Sequence, residues 1–123
     1  MTVIENTSNK KQMVKAFLSK TRHKKSLKNM RAYLRHPDYW EVLLIIVKYD
    51  GNKDYGIGNY IDQIENQTLS QLTIENFLRD EIANGNLVII EGEKKSRKTL
   101  NMSNTLLREF LAHLNFIKKT YLD

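Results

Sequence analysis

Residues 69–90 read LSQLTIENFLRDEIANGNLVII, and the change of rhythm inside this stretch decides the fold. Ile74, Phe77, Leu78 and Ile82 recur at helical spacing and predict a helix over about 69–84. Gly85 stands where a helix commonly closes in the left-handed region. Leu87, Val88, Ile89 and Ile90 then form an aliphatic run that reads as a strand. Glu91 to Arg97 is a polar turn and Thr99-Leu100-Asn101-Met102 a returning strand, so a β-hairpin with a basic tip follows the helix directly. Ser103 caps a last helix, 103–122, bearing Leu107, Phe110, Leu111, Leu114, Ile117 and Tyr121.

Upstream, Ile57, Tyr60, Ile61 and Ile64 predict a short helix from about Ile57 to Glu65. Asn66-Gln67 turns the chain, and Thr68 with Gln71 is spaced as a capping box for the next helix. Two helices joined by a short turn make the helix-turn-helix layout. Before them, Tyr39 to Tyr49 is apolar nearly all round, the mark of a central helix. Asp38 and Glu41 are spaced as its capping box, and Asp50-Gly51-Asn52 stops it. Residues 10–36 form a basic helical segment, either one helix with a polar middle or two short ones, and Pro37 ends it. Residues 1–9 are polar and expected to be a disordered tail. The expected architecture is one domain over 10–123, mostly α with a small β-hairpin. It is a winged helix-turn-helix core over 38–102 with flanking N- and C-terminal helices.

A chain of 123 residues suits a single core. Its 41% hydrophobic and 28% charged residues place it in the globular class. The absence of cysteine removes disulfides, thiolate nucleophiles and Cys-based zinc sites, and points to a cytoplasmic protein. The longest apolar run, Val42 to Val47, is far short of a membrane span, and no secretory signal is evident. His23, His36 and His113 are scattered without metal-ligand spacing. Gly56-Ile57-Gly58 lacks the third glycine and preceding strand of a dinucleotide loop, and reads as backbone opening a helix. Asp62 and Glu65 have no opposing partner. The expectation is therefore binding rather than catalysis, with no cofactor and no metal.

Charge is unevenly distributed. Met1 to His36 holds ten Lys or Arg and one acid, Glu5, whereas the remainder holds ten basic and thirteen acidic residues. Within that remainder Lys94, Lys95, Arg97 and Lys98 cluster at the hairpin. Two basic features on a mildly acidic body suit a polyanion. The helix over 69–84 carries Ser70, Gln71, Thr73, Asn76 and Arg79 on or beside its polar face, side chains able to read base edges in a major groove. Lys94, Lys95, Arg97 and Lys98 suit the phosphate backbone or minor groove beside it. Phe17, Leu18, Phe110, Leu111, Leu114, Ile117 and Tyr121 offer more apolar surface than one small core needs, and are expected to form a homodimer interface.

On these residues the chain resembles the multiple-antibiotic-resistance repressor (MarR) family, and more loosely the short staphylococcal accessory regulators, over about Tyr39 to Phe110. The stretch quoted first is similar to the family's recognition helix and first wing strand. EKKSRKTLNMSNTLLREFL, residues 93–111, is similar to its charged wing, second strand and capped helix. The resemblance implies a sequence-selective regulator of transcription on double-stranded DNA. It places Ser70, Gln71, Thr73 and Asn76 on the base-reading surface, Arg97 near the wing tip, and the helices at 10–35 and 104–122 in a dimer interface. It leaves a small-molecule inducer undefined. Here the acid in the wing is Glu93, with Lys95 two residues before Arg97, and Asn86 is one residue more than the family pattern. The alternatives are a winged-helix module docking on another protein, such as the transcription machinery, and a non-specific nucleoid-type DNA binder.

Overall fold

The protein is described by a computed structural model covering residues 3–90 and 97–122, with side chains from 9 to 90 and from 97 to 120. Helix α1 spans Val3–Ser26, and a 3-10 turn, Arg31–Arg35, leads into α2, Pro37–Tyr49. Helices α3, Ile57–Asp62, and α4, Gln71–Ala83, precede strands β1, Leu87–Ile90, and β2, Thr99–Met102. Helix α5, Asn104–Ile117, continues as a π-type turn over Lys118–Leu122. The chain is thus mostly helical, with one two-stranded antiparallel hairpin. In the hairpin Leu87 faces Met102 and Ile90 faces Thr99.

The core lies where α2, α3, α4 and β2 meet. Val42, Leu43 and Ile46 of α2, Tyr60 and Ile61 of α3, and Ile74 and Leu78 of α4 are buried together with Leu87, Leu100 and Leu106. Met30 and Tyr33 close it from the side of the 3-10 turn. Helical periodicity accounts for these positions: each α3 and α4 residue named lies on the stripe that the i, i+3, i+4 spacing marks.

Several helix boundaries differ from the sequence reading. Residues 3–9 belong to α1, where a disordered tail over 1–9 was expected. Within 10–35 the polar stretch Ser19 to Ser26 stays helical, and the division falls after it, where residues 27–30 turn the chain into the 3-10 helix Arg31–Arg35. The cap of α2 is His36, not Asp38: Pro37 occupies the first helical position, where its missing N–H goes unneeded, and His36 Nδ1 accepts from Asp38 N at 3.0 Å. The cap of α4 is Ser70, not Thr68, with Ser70 Oγ accepting from Thr73 N at 3.1 Å. Helix α3 ends at Asp62 rather than Glu65, and tighter i to i−3 bonds bring Gln63 and Ile64 round the corner. Gly85 closes α4 with φ +82°, a conformation that side chains resist.

The two capping candidates that do not cap fasten one turn to another. Asp38 is buried, and its Oδ2 accepts from Thr68 N at 2.9 Å, Leu69 N at 2.8 Å and Thr68 Oγ1 at 3.2 Å. Glu41 Oε2 accepts from Glu65 N at 2.8 Å. Burial pushes the Asp38 carboxyl up, but the bonds from Leu69 and Thr68, with His36 nearby, outweigh it and hold the group below the usual carboxylate value. The first turn of α2 therefore sets the path of the chain between α3 and α4.

Candidate nucleic-acid interface

Helix α4 buries Ile74, Phe77, Leu78 and also Glu81, and turns its opposite face outward. Glu81 is an acid on the inner face that spacing alone did not mark. Its carboxylate accepts from Asn86 Nδ2 at 3.2 and 3.4 Å, while the Asn86 carbonyl accepts from Ser103 N at 2.8 Å. Asn86, the additional residue after Gly85, is thus the junction of α4, β1 and α5, and it fixes the hairpin relative to α4.

Ser70, Gln71, Thr73, Asn76 and Arg79 are all exposed, but they are not equally disposed. Ser70 is committed to capping, and its Oγ also lies 2.7 Å from Thr73 Oγ1. The side chains of Gln71 and Asn76 make no hydrogen bond to other described residues. Arg79 pairs with Glu75, with Nη2 and Nε donating to the same Oε1 at 2.7 and 3.3 Å. Leu72, which the sequence reading passed over, is 65% exposed on this helix. A helical wheel carries the signal: 72, 76, 79 and 83 lie opposite the buried stripe.

The hairpin approaches the start of α3. Thr99 Oγ1 donates to the Tyr55 carbonyl at 2.6 Å, and Leu100 N donates to Tyr60 Oη at 3.0 Å. Arg97 Nη1 donates to the Lys53 carbonyl at 3.3 Å. A Cβ built on Gly56 would lie 2.9 Å from Arg97 Cγ and 3.3 Å from Lys98 N. Gly56 was read from sequence as backbone opening a helix, and it is the residue before α3; the close passage of Arg97 and Lys98, which lead into β2, is its further role. Arg97, expected near a wing tip, lies in the segment between the two strands, two residues before β2, and packs against the residues that open α3. Lys94 and Lys95 lie outside the described residues.

Between these elements runs a polar groove of about 480 Å³, lined by Gly56–Asn59, Glu75, Arg79, Arg97 and Lys98. Three cations and one acid give it a net positive wall. The structure thus brings Arg79 together with Arg97 and Lys98, while Thr73 is not among the groove's residues.

The residues expected at a dimer interface fall into three groups. Phe17, Leu18, Leu111 and Leu114 are exposed, at 59, 45, 50 and 38%. Phe110 is buried in the chain's own core, its ring 5.9 Å from that of Trp40, so it is not available to a second copy. Ile117 is half-buried beside Trp40 and Phe116, and the Tyr121 side chain lies outside the description. Histidines scattered in sequence also prove not to be scattered in space. His23 Nε2 and His113 Nδ1 are 3.2 Å apart with parallel rings, and Phe116 stacks on His23. The contact spans 90 residues, so no local spacing could announce it.

Among the described residues no helix is long and apolar enough to cross a membrane. Compared with models of protein families, with curated protein sequences and with solved structures, the chain has no significant match.

Proposed function

We propose that this chain is a sequence-selective regulator of transcription that binds double-stranded DNA as a winged helix-turn-helix. The observation that carries the reading is the placing of a polar, outward face of α4 beside the cationic pair Arg97 and Lys98 that leads into β2, across one groove. An α-helix fits the major groove, and side chains on its outer face reach base edges. Gln71, Thr73 and Asn76 suit that readout, Leu72 suits a thymine methyl group, and Arg97 and Lys98 suit the flanking backbone. The basic α1 adds long-range attraction to a polyanion. Two copies pair through the exposed apolar side chains of α1 and α5, presenting two α4 helices to half-sites about one helical turn apart. The protein acts by binding and not by catalysis.

Selection of bound sequences from a random duplex pool, near physiological salt, tests this reading. Enrichment of a palindrome with half-sites about one turn apart is the expected result. In that site Asn76→Ala relaxes preference at one base pair, costing about 1–3 kcal/mol of discrimination, whereas Lys95→Ala weakens all sequences alike. Tight binding without enrichment would identify a non-specific nucleoid-type protein. No binding to any duplex would move the function to a protein partner docking on Leu72 and its surroundings.

A further inference from the structure

The groove between α3, α4 and the hairpin has a more specific chemistry than a basic surface. Arg79 spends two of its five N–H donors on Glu75, and Arg97 spends one on the Lys53 carbonyl. Each guanidinium is therefore held in place by part of its fork, and the rest remains for a ligand. The Arg97 stem is set by close passage over Gly56, so the cation is held against the residue that opens α3. Among the described residues Ile57 is the one apolar side chain lining the groove. Pockets for small organic ligands are mostly apolar, so recognition here is electrostatic and directional. Planar guanidiniums with spare parallel N–H groups match phosphate oxygens. The groove is larger than one phosphate needs, which leaves room for the sugars on either side.

We infer that this groove seats one phosphodiester of the duplex, clamped by Arg79 and Arg97 with Lys98 beside them, and that Glu75 is the positioning residue aligning Arg79. The inference rests on the DNA-binding reading above and sharpens it, because Arg79 then fixes register on the backbone and reads no base. Through this seat α4 and the hairpin grip the same strand.

The test uses full-length protein and the duplex enriched by selection, prepared as a series in which one linkage at a time is a neutral methylphosphonate. The expected result is one linkage per half-site whose neutralisation weakens wild-type binding about tenfold, the scale of a charge-assisted hydrogen bond. The same neutralisation changes binding by less than about twofold in Arg79→Gln and in Arg97→Gln, since the clamp is already lost. Each variant also lowers the slope of log affinity against log salt by about one, and Arg79→Gln keeps the wild-type sequence preference. Arg79→Lys, which retains charge without the fork, falls between and serves if Arg79→Gln does not fold. Losses that simply add at every linkage would overturn the seat while leaving DNA binding intact. So would a preference relaxed at a single base pair by Arg79→Gln. Wild-type protein that binds no duplex would overturn both readings.

Discussion

Helix α3 with the turn after it and helix α1 each carry apolar residues grouped on one helical face, and they meet opposite fates. Ile57, Tyr60, Ile61 and Ile64 are all buried, whereas Met13, Val14, Phe17 and Leu18 are exposed. Periodicity tells that a segment is helical and which face is apolar; it does not tell what that face meets. The difference lies in how each helix is fastened. The segment after α3 is bound to the first turn of α2 by Asp38 and Glu41. Helix α1 meets the body near its C-terminal end, where His23 packs on His113 and Phe116. Its residues Asn9 to Ser19 face solvent.

The comparison breaks most visibly at Asp38. Asp38→Ala removes an acceptor shared by two backbone N–H groups and a hydroxyl, and water reaches half-buried Leu69 only in part. The expected loss is about 2–3 kcal/mol in urea unfolding, the worth of charge-assisted bonds to a buried acceptor. Asp38→Asn, which keeps one oxygen but no charge, loses about half of that. A loss below about 0.5 kcal/mol for Asp38→Ala would mean that the path between α3 and α4 is set by packing alone, and the contrast with α1 would need another cause.

Acid separates the two fastenings. Burial holds the His23 and His113 imidazoles below their ordinary 6.5, and for His113 the neighbouring His23, Lys24 and Lys20 add to the shift. The folded protein therefore binds these protons less readily than the unfolded chain. The junction contributes fully above about pH 6.5 and loses its contribution as pH falls through the lowered values. Asp38, held below its ordinary 3.8, keeps its contribution to far lower pH. Trp40, the one tryptophan, lies edge-on to His113 at 5.6 Å and reports on the junction. Its emission is expected to change as pH falls below about 6.5 while far-ultraviolet circular dichroism of the body persists, and His113→Asn should flatten the change. Emission and circular dichroism moving together would show one unit rather than two.

How much of this was legible follows from the range of each interaction. The order of helices, the two hairpin strands and the Ser103 cap were readable because spacing and capping are local. Asp38 and Glu41 were singled out, but for the wrong role, since a capping box looks the same whether its acids bond their own helix or a neighbour thirty residues on. At the candidate site the outward face of α4 was legible. The grouping of Arg79 with Arg97 was not, because it depends on Arg97 and Lys98 passing over Gly56. The His23–His113 contact had no sequence signal, and Phe110 looked like spare surface because composition cannot say which apolar residues one core absorbs.

The smallest effect on the fold is expected where the comparison began, on the exposed face of α1. Phe17→Ser removes no core contact, and at low protein concentration it should change unfolding by no more than about 0.5 kcal/mol, as surface substitutions do. Its effect on association is the sharper measurement. If α1 and α5 pair two copies, a twofold axis buries Phe17 twice. At about 1.5 kcal/mol for each buried side chain, the dimer loses about 3 kcal/mol, a factor of roughly a hundred in its dissociation constant. Sedimentation equilibrium over a range of concentrations reads this directly, with Leu111→Ser as the matching change on α5. Two substitutions that shift association by similar factors, without altering the monomer's stability, would place both helices in one interface. A wild-type chain that stays monomeric at high concentration would leave the α1 face to a different protein, and the DNA site would then be read one half at a time.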